Sequence, residues 1–256
     1  MGIAVLGPLT IDGVGGSLRH HDRVVLTVLA VRPGEPVSAD RLADALWGDS
    51  PPETWSKVVQ GCVVRLRKVL GTESIETTPH GYRLTIHPDE VDSHRFERLL
   101  GRGREHLALS EPERAAYVLA EAIGLWRGPA FTELNGWPGG RVESARLDEM
   151  RRDAEELRVD AALRAGQARE VLGDAQRLVG EAPLRERRWA LLALAQYQAG
   201  QQAQALRTIR KVRTVLAREL GLDPGSELVA LEQAILRQDP ELVVEAALPE
   251  PDAVCP

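Results

Sequence analysis

The residues best suited to chemistry lie in one segment, Thr54 to Thr72 (TWSKVVQGCVVRLRKVLGT), which contains no Asp or Glu although the whole chain carries a formal net charge of −6. On a helix of 3.6 residues per turn, one stripe of this segment is apolar: Val59, Val63, Leu66 and Leu70, with Trp55, Cys62 and Val69 beside it. The opposite face is mainly cationic or amide-bearing: Lys57, Gln60, Gly61, Val64, Arg65, Arg67 and Lys68. Such a helix is suited to facing an anion. Duplex DNA is the leading candidate, because phosphates attract Lys and Arg while Gln and Arg can pair with base edges.

The segments on either side of this basic helix predict how it is held. Ser38 to Leu46 (SADRLADAL) is a helix with Ser38 as its N-cap, and Pro51 and Pro52 keep the connector from Trp47 to Glu53 out of helical conformation. Downstream, Ser74 to Thr78 and Gly81 to Ile86 are β-prone runs that indicate a hairpin. Helix, loop, basic helix and hairpin are the parts of a winged helix-turn-helix. In that fold the recognition helix enters the major groove and the hairpin, or wing, lies against the backbone or minor groove.

The first 31 residues predict a small sheet and one more helix. Ile3 to Gly7 and Leu9 to Asp12 are expected to form strands, Gly13, Gly15 and Gly16 a turn, and the region near Leu18 a further short strand. Asp22 to Val31 is predicted to be helical, with an inward face made by Val24, Val25, Val28 and Leu29. His20 and His21 are adjacent at a strand-to-helix junction, where two side chains converge poorly on one ion, so a metal site is disfavoured.

From Asp92 onward, Ala and Leu recur with helical periodicity. The pattern predicts helices near 92–108, 111–126, 140–165, 168–181, 184–199, 202–219 and 225–237. Ala165-Gly166-Gln167 recurs as Ala199-Gly200-Gln201, and this spacing of 34 residues is the period of tetratricopeptide repeats. The acidic stretch from Asp148 to Glu156 alternates with Arg and is expected to be a salt-bridged solvent face. The predicted fold class is mainly α: an N-terminal α+β winged helix followed by an all-α, tetratricopeptide-like domain.

Several of these motifs together resemble a known family. RLADALWGDSPPE, VVQGCVVRLRKVLG and IETTPHGYRL resemble the OmpR-type winged-helix domain of the Streptomyces antibiotic regulatory protein (SARP) family. VDSHRFERLL, LWRGPAF and LGLDPGSELVALEQAILRQDP resemble the bacterial transcriptional activator domain (BTAD) that follows it in that family. The sequence departs from the family in the recognition helix, where Gly61 occupies a helix interior. Glycine at such a position costs about 0.5–1 kcal/mol of helix stability. The resemblance covers residues 3 to 240 and implies a DNA-binding transcriptional activator.

The expected roles of the site residues follow from the predicted fold together with this resemblance. In the recognition helix, Arg65, Arg67 and Lys68 are expected to hold phosphates or guanines, and Lys57, Gln60 and Val64 to read base edges. In the wing, the expected backbone contacts are Thr77, Thr78, His80 and Arg83, whereas Tyr82 is expected to pack. The connector resembles the loop through which OmpR-type domains touch RNA polymerase, and its expected contact residues are Trp47, Gly48, Asp49, Ser50 and Glu53. The resemblance also implies a homodimer on DNA and contact with the sigma and alpha subunits of the polymerase.

Other function classes find little support in the sequence. The chain has no nucleophile elbow, no HExxH motif, no Walker-type Gly-Lys-Ser/Thr motif and no paired-Cys motif, so an enzyme, a metal and a cofactor are not expected. No run approaches the roughly 20 apolar residues of a membrane span. The sequence shows no signal peptide, and Cys62 and Cys255 form no disulfide framework, so a cytoplasmic location is expected.

The predicted domains are 1–90 for the winged helix, 91–239 for the BTAD and 240–256 for a linker or a truncated extension. Residues 1–90 contain nine Lys and Arg against eleven Asp and Glu, so the cationic footprint is local and small. Useful affinity would then need two protomers on adjacent sites or help from another protein.

The sequence leaves two alternatives to a DNA-binding activator. One is a helical-repeat adaptor that binds proteins; the other is the regulatory front end of a larger NTPase-containing protein with little DNA binding of its own.

Overall fold

A computed structural model describes residues 2–14 and 18–243, and the predicted turn at Gly15 and Gly16 and the tail beyond residue 243 lie outside the described residues. The chain divides into two compact units: residues up to 101 together with 121–153, and residues 102–120 together with those from 154 onward. The predicted boundary at residue 90 stays a prediction, since a compact unit and a sequence domain need not end at the same residue. Each unit is described separately below.

The first unit contains the winged helix. Its elements in chain order are β1 (Ile3–Ala4), β2 (Thr10–Ile11), α1 (His20–Val31), β3 (Pro36–Ser38), α2 (Ala39–Trp47), α3 (Trp55–Leu70), β4 (Ile75–Thr78) and β5 (Gly81–Leu84). The predicted order of helix, loop, basic helix and hairpin is therefore confirmed. Ser38 caps α2 by accepting a hydrogen bond from the backbone N–H of Arg41 at 3.1 Å, as predicted. The expected strand near Leu18 is wrong, because Leu18 lies in no strand and β1 pairs only with β2 within its sheet.

The wing is fixed by a third strand that the sequence did not reveal. The sheet order is β3-β5-β4, all antiparallel, and Ser38 lies opposite Gly81 while Thr78 lies opposite Gly81 from the other side. A Cβ atom at position 81 would stand 2.0 Å from the backbone oxygen of Val37. Only glycine therefore allows β3 to pair where the hairpin begins its return strand. The three residues of β3 are too few to show a strand periodicity, which is why the sequence did not predict this strand.

Helix α1 lies at the centre of this unit. Its predicted inward residues are buried, and so are Leu26, Thr27 and Ala30 on the remaining faces. One side of α1 packs on α2 and α3, and the other is covered by the segment around Thr132–Leu134. A helix covered on both sides buries residues all round, which is why α1 is apolar over most of its circumference.

Residues 121–153 complete the first unit by hydrogen bonds to its N-terminal segment. The side chain of Glu133 is 8% exposed, pairs with Arg23 and accepts a hydrogen bond from the backbone N–H of Leu9 at 2.9 Å. The backbone N–H groups of Arg127 and Phe131 donate to the carbonyl oxygens of Leu6 and Val5 at 2.7 and 2.8 Å. The winged helix is therefore held by a segment far from it in sequence.

The later helices match the predicted ones to within two residues at each end. They are α4 (Asp92–Ala108), α5 (Pro112–Gly124), α6 (Pro138–Arg164), α7 (Ala168–Glu181), α8 (Glu186–Gln198), α9 (Gln202–Leu220) and α10 (Ser226–Arg237). The predicted 34-residue repeat has a structural basis in two identical turns. Gly166 and Gly200 both adopt positive φ, at 75° and 81°, and the residue after each donates a hydrogen bond back into the preceding helix. Ser110 makes the same turn after α4 with φ 57°, and because this residue is not a glycine the sequence does not reveal the turn.

The second unit contains a buried ion network at the start of α8. The side chain of Arg188 is 1% exposed, donates to Glu156 at 2.8 Å and to the backbone oxygen of Leu178 at 2.9 Å, and lies 3.8 Å from Glu155. Both glutamates are buried. The prediction that Asp148–Glu156 is wholly a solvent face is therefore wrong at its C-terminal end, because alternating charges do not show which partners a distant helix supplies.

Candidate nucleic-acid interface

Helix α3 presents a continuous polar face to solvent. Lys57, Gln60, Val64 and Lys68 are exposed and follow one another at spacings of three or four residues along the helix. Val64 is 51% exposed, between the amide of Gln60 and the ammonium of Lys68. On the opposite side Val59, Cys62, Val63 and Leu66 are buried, as the apolar stripe predicts. We call the four exposed residues the recognition face.

Arg65 lies on one flank of the recognition face and is tied to α1. Its Nε and Nη2 atoms donate to the carboxylate of Asp22 at 2.7–3.1 Å, in the bidentate geometry typical of a strong Arg–carboxylate pair. The Asp22 side chain is 3% exposed, whereas that of Arg65 is 36% exposed. Sequence reasoning assigned Arg65 to DNA and did not single out Asp22. A lone acid in the first turn of an apolar helix was the signal that could have found this pair.

The Asp22–Arg65 pair shapes the ionisation of its neighbourhood. Burial disfavours the charged form of Asp22 and is the largest single influence, but the hydrogen bonds from Arg65 and Cys62 and the positive charge of Arg65 together outweigh it, so the pKa of Asp22 is lowered from its ordinary value of 3.8. Burial, and next the nearby Asp22 carboxylate, raise the pKa of the Cys62 thiol to about 12. Cys62 therefore stays a neutral thiol under α3 and serves packing rather than chemistry.

Arg67 lies on the other flank and is tied to the wing. Its Nε donates to the backbone oxygen of Ile75 and its Nη2 to the hydroxyl of Thr77, both at 2.8 Å. The recognition helix is thus braced on both sides, by Arg65 to α1 and by Arg67 to β4. Of the cations predicted to contact DNA from α3, Lys57 and Lys68 have neither an ion pair nor a side-chain hydrogen bond among the described residues, whereas Arg65 pairs with Asp22 and Arg67 donates hydrogen bonds to neutral groups.

The wing residues differ in accessibility. Thr77 and His80 are exposed, Thr78 is half-buried, and Arg83 is half-buried with its guanidinium 3.3 Å from the carboxylate of Glu76 across the β4–β5 pair. Tyr82 is buried, as expected of a packing residue. His80 and Thr77 therefore form the outer edge of the wing.

The connector between α2 and α3 is exposed over its whole length after Trp47. Gly48, Asp49, Ser50 and Glu53 are exposed, and Gly48 turns the chain with φ 59° while its N–H donates to the backbone oxygen of Asp44 at 2.7 Å. From the segment that completes the unit, Trp137 Nε1 donates to Asp44 at 2.7 Å, and the guanidinium of Arg41 lies 5.2 Å from the Trp137 ring centre. Sequence reasoning missed this anchor for α2, since nothing local links residue 137 to residue 44.

The described residues place no three His, Cys, Asp or Glu side chains together in a way that could hold a metal ion. Within the same residues, no helix combines the length and apolar character that crossing a membrane requires. His20 and His21 lie with ring centres 5.9 Å apart, and His21 stacks edge-on against Trp47.

Comparison with known proteins places this geometry in a family. The bacterial transcriptional activator domain matches residues 91–236, and the C-terminal domain of transcriptional regulatory proteins matches residues 15–84. The chain is 36% identical to the transcriptional regulator RedD of Streptomyces coelicolor, over 96% of this chain and 73% of RedD. It is 32% identical to the regulatory protein DnrI of Streptomyces peucetius, over 94% of this chain and 93% of DnrI.

A solved structure shows the same architecture. Mycobacterium tuberculosis EmbR, determined in complex with a low-affinity phosphopeptide, superposes with a TM-score of 0.85 at 34% identity, over 93% of this chain and 65% of that chain. Two matched domains in the predicted order, relatives matched over most of their length and a shared fold lead to one conclusion. The chain belongs to the SARP family of transcriptional regulators, with an OmpR-type winged helix followed by a BTAD.

Proposed function

We propose that this chain is a sequence-specific transcriptional activator that binds direct repeats near promoters through α3 and contacts RNA polymerase. The observation that carries the proposal is the recognition face, which leaves two cations, an amide and one apolar residue exposed on a helix braced from both sides. Lys57 and Lys68 are suited to phosphates or guanines, Gln60 to the edge of adenine, and Val64 to a thymine methyl group.

Two flanking arginines support this role indirectly. The guanidinium groups of Arg65 and Arg67 donate hydrogen bonds to Asp22 and to the backbone oxygen of Ile75, and these bonds fix the orientation of α3. A reading helix gains specificity when its side chains are held before binding, because less conformational entropy is then lost on DNA. We therefore assign them a positioning role, and the direct DNA contacts to the exposed four.

The small number of unpaired cations supports binding as more than one protomer. Two lysines on α3 and the outer edge of the wing neutralise few phosphates, so a single winged helix would bind DNA weakly. Two protomers on neighbouring sites raise the effective concentration of the second recognition helix. Direct repeats one helical turn apart would place both protomers on the same face of the duplex.

For the polymerase contact, the supporting observation is the exposed connector. Asp49, Ser50 and Glu53 protrude between α2 and α3, and Pro51 and Pro52 restrict the backbone between them. Trp137 anchors the end of α2 from which this loop emerges. The proposed partners are the sigma and alpha subunits of the polymerase.

Site selection from a random DNA pool with the full chain tests the DNA-binding proposal. Recovery of a defined motif repeated in one orientation is the expected result, and a palindrome would contradict the direct-repeat arrangement. Gln60→Ala should weaken binding to the selected duplex while leaving random DNA unaffected, since a good bidentate base contact contributes about 1–3 kcal/mol of discrimination. Equal losses on both duplexes would contradict the role of Gln60. Absence of any salt-dependent binding would favour the protein-binding adaptor instead.

The polymerase contact needs a separate measurement. Asp49→Ala combined with Glu53→Ala should abolish transcription activation from a promoter carrying the selected site and leave affinity for that site unchanged. A variant that activates normally would leave the connector as a spacer.

A further inference from the structure

A second cationic surface lies beside the recognition face, on its α1 side. It is a groove of about 440 Å³ lined by the residue before α1, the first turn of α1 and the N-terminal half of α3, and its polar lining consists of Arg19, His20, His21, Lys57 and Arg65. We call it the α1 groove. Lys57 and Arg65 belong to the predicted site, whereas Arg19, His20 and His21 do not, because residues 19–21 carry no DNA-binding motif.

Among the residues that the structure describes, no carboxylate lines the α1 groove. The acid closest to it in sequence, Asp22, is buried and neutralised by Arg65. The side chains of Arg19, His20 and Lys57 are exposed, and none of them forms an ion pair with a described residue. Asp22 interacts electrostatically with Arg19 as well as with Arg65, but this single carboxylate faces three cations, Arg19, Lys57 and Arg65. A cluster with an excess of positive charge favours an anionic ligand.

Gly61 leaves room for the Arg65 guanidinium in the lining of the groove. A Cβ atom at this position would lie 3.3 Å from Nη1 of Arg65, the guanidinium nitrogen that is not engaged with Asp22. The absence of a side chain at position 61 therefore leaves space for the Arg65 guanidinium over α3 and adds no bulk to the lining of the groove. The glycine that departs from the family pattern and costs helix stability has a local use at this position.

The position of the groove relative to the wing suggests its ligand. Arg67 joins one flank of α3 to the wing, and Arg65 joins the other flank to α1 beneath the groove. A helix in the major groove has one phosphodiester strand on each side. If the wing lies against one of these strands, the α1 groove faces the other.

We propose that the α1 groove binds a phosphodiester of the DNA strand opposite the wing, with Arg19 as the main cation and His20 and His21 as hydrogen-bond donors. This proposal rests on the proposed function, since it requires α3 to enter the major groove. An imidazole N–H can donate to a phosphate oxygen whether or not the ring is charged. Lys57, at the border of the groove and the recognition face, connects the two surfaces.

The test compares Arg19→Gln, the double change His20→Gln/His21→Gln and the control Arg169→Gln, which removes an exposed arginine of the second unit. Affinities of the full chain are measured at several salt concentrations, for a labelled duplex obtained by site selection and for a random-sequence duplex. Arg19→Gln should weaken binding to both duplexes by up to about fivefold, the range of an exposed charge pair. It should also flatten the slope of log affinity against log salt by about 0.9.

The two histidine substitutions should weaken both duplexes by a similar factor with a smaller change in slope, and Arg169→Gln should change neither. Arg19→Lys keeps the charge and should retain most of the binding, which distinguishes a lost contact from a misfolded variant. Phosphate ethylation should interfere with binding of the wild-type chain on the strand opposite the wing. That interference should disappear in Arg19→Gln.

The outcomes separate this proposal from the proposed function. If the wild-type chain binds neither duplex, both are overturned. If it selects and binds a motif but Arg19→Gln and the histidine variant keep wild-type affinity and slope, the α1 groove proposal fails and the recognition face stands.

Discussion

Removing Arg65 should destabilise the first unit more than removing any exposed cation of α3. Its guanidinium makes three hydrogen bonds to the carboxylate of Asp22, whose side chain is 3% exposed. Breaking a buried ion pair from one side costs about 3–5 kcal/mol, because the remaining charge is left without a partner. Arg65 itself is 36% exposed, so water screens part of this interaction. We therefore expect Arg65→Ala to lower the free energy of unfolding by about 2–3 kcal/mol.

A double-mutant cycle with Asp22→Asn isolates the pair. Asparagine needs no counter-charge, so Asp22→Asn should be less harmful in the Arg65→Ala background than in the wild type, with a coupling free energy of about 1–2 kcal/mol. Urea unfolding at neutral pH, followed by circular dichroism, measures all four proteins, and unchanged m-values would show that the unfolded state is unaltered. Lys68→Gln is the matched control and should stay within about 0.5 kcal/mol of the wild type.

Two results would refute this reasoning. One is a loss below about 0.5 kcal/mol for Arg65→Ala, the range of an ordinary surface substitution. The other is strict additivity of the two changes, which would mean that the pair contributes nothing beyond its separate parts. Either would return Arg65 to the set of residues free to contact DNA.

Three further changes test how the unit is held together. Gly81→Ala should cost about 3 kcal/mol and disrupt the wing, because its Cβ would stand 2.0 Å from a backbone oxygen of β3. The control Gly101→Ala, at a position with open space around it, should not lower the stability. Thermal unfolding measures both variants, and equal melting temperatures would contradict this prediction. Trp137→Phe removes the 2.7 Å hydrogen bond to exposed Asp44 and should cost about 1 kcal/mol in urea unfolding, and an unchanged midpoint would show that the contact does not anchor α2. Because folding lowers the pKa of Asp22, its contribution is complete above the ordinary value of 3.8 and is lost as the pH falls through the lower folded value. The stability advantage of the wild type over Asp22→Asn should therefore shrink under acid, and an advantage that grows on acidification would reverse the assigned sign.

Local patterns in the sequence were enough to predict the helices and the hairpin. The stripe through Val59, Val63 and Leu66 identified the buried side of α3, and the same periodicity identified its exposed side. The repeated glycines at 166 and 200 identified two helix ends because both require positive φ. Such features depend on residues close together in the chain, and their physical causes are visible in a short window.

Contacts between distant segments were not predictable in the same way. Nothing near Arg65 shows that Asp22 will hold it, and nothing near Asp44 shows that Trp137 will donate to it. Six residues of α3 were therefore predicted to contact DNA, and the fold engages two of them, Arg65 and Arg67, in internal hydrogen bonds. The α1 groove was missed for the same reason, since it combines Arg19 and its neighbours with a helix about 40 residues later.

The central claim is that the exposed lysines of α3 meet DNA phosphates, and the salt dependence of DNA binding tests it most directly. The full chain and its Lys57→Gln/Lys68→Gln variant are titrated with a site-selected duplex at several salt concentrations, with Lys211→Gln, an exposed lysine of the second unit, as the control. Loss of two phosphate contacts should reduce the slope of log affinity against log salt by about 1.8, and the control should keep the wild-type slope. Identical slopes for all three proteins would show that this face does not lie against DNA.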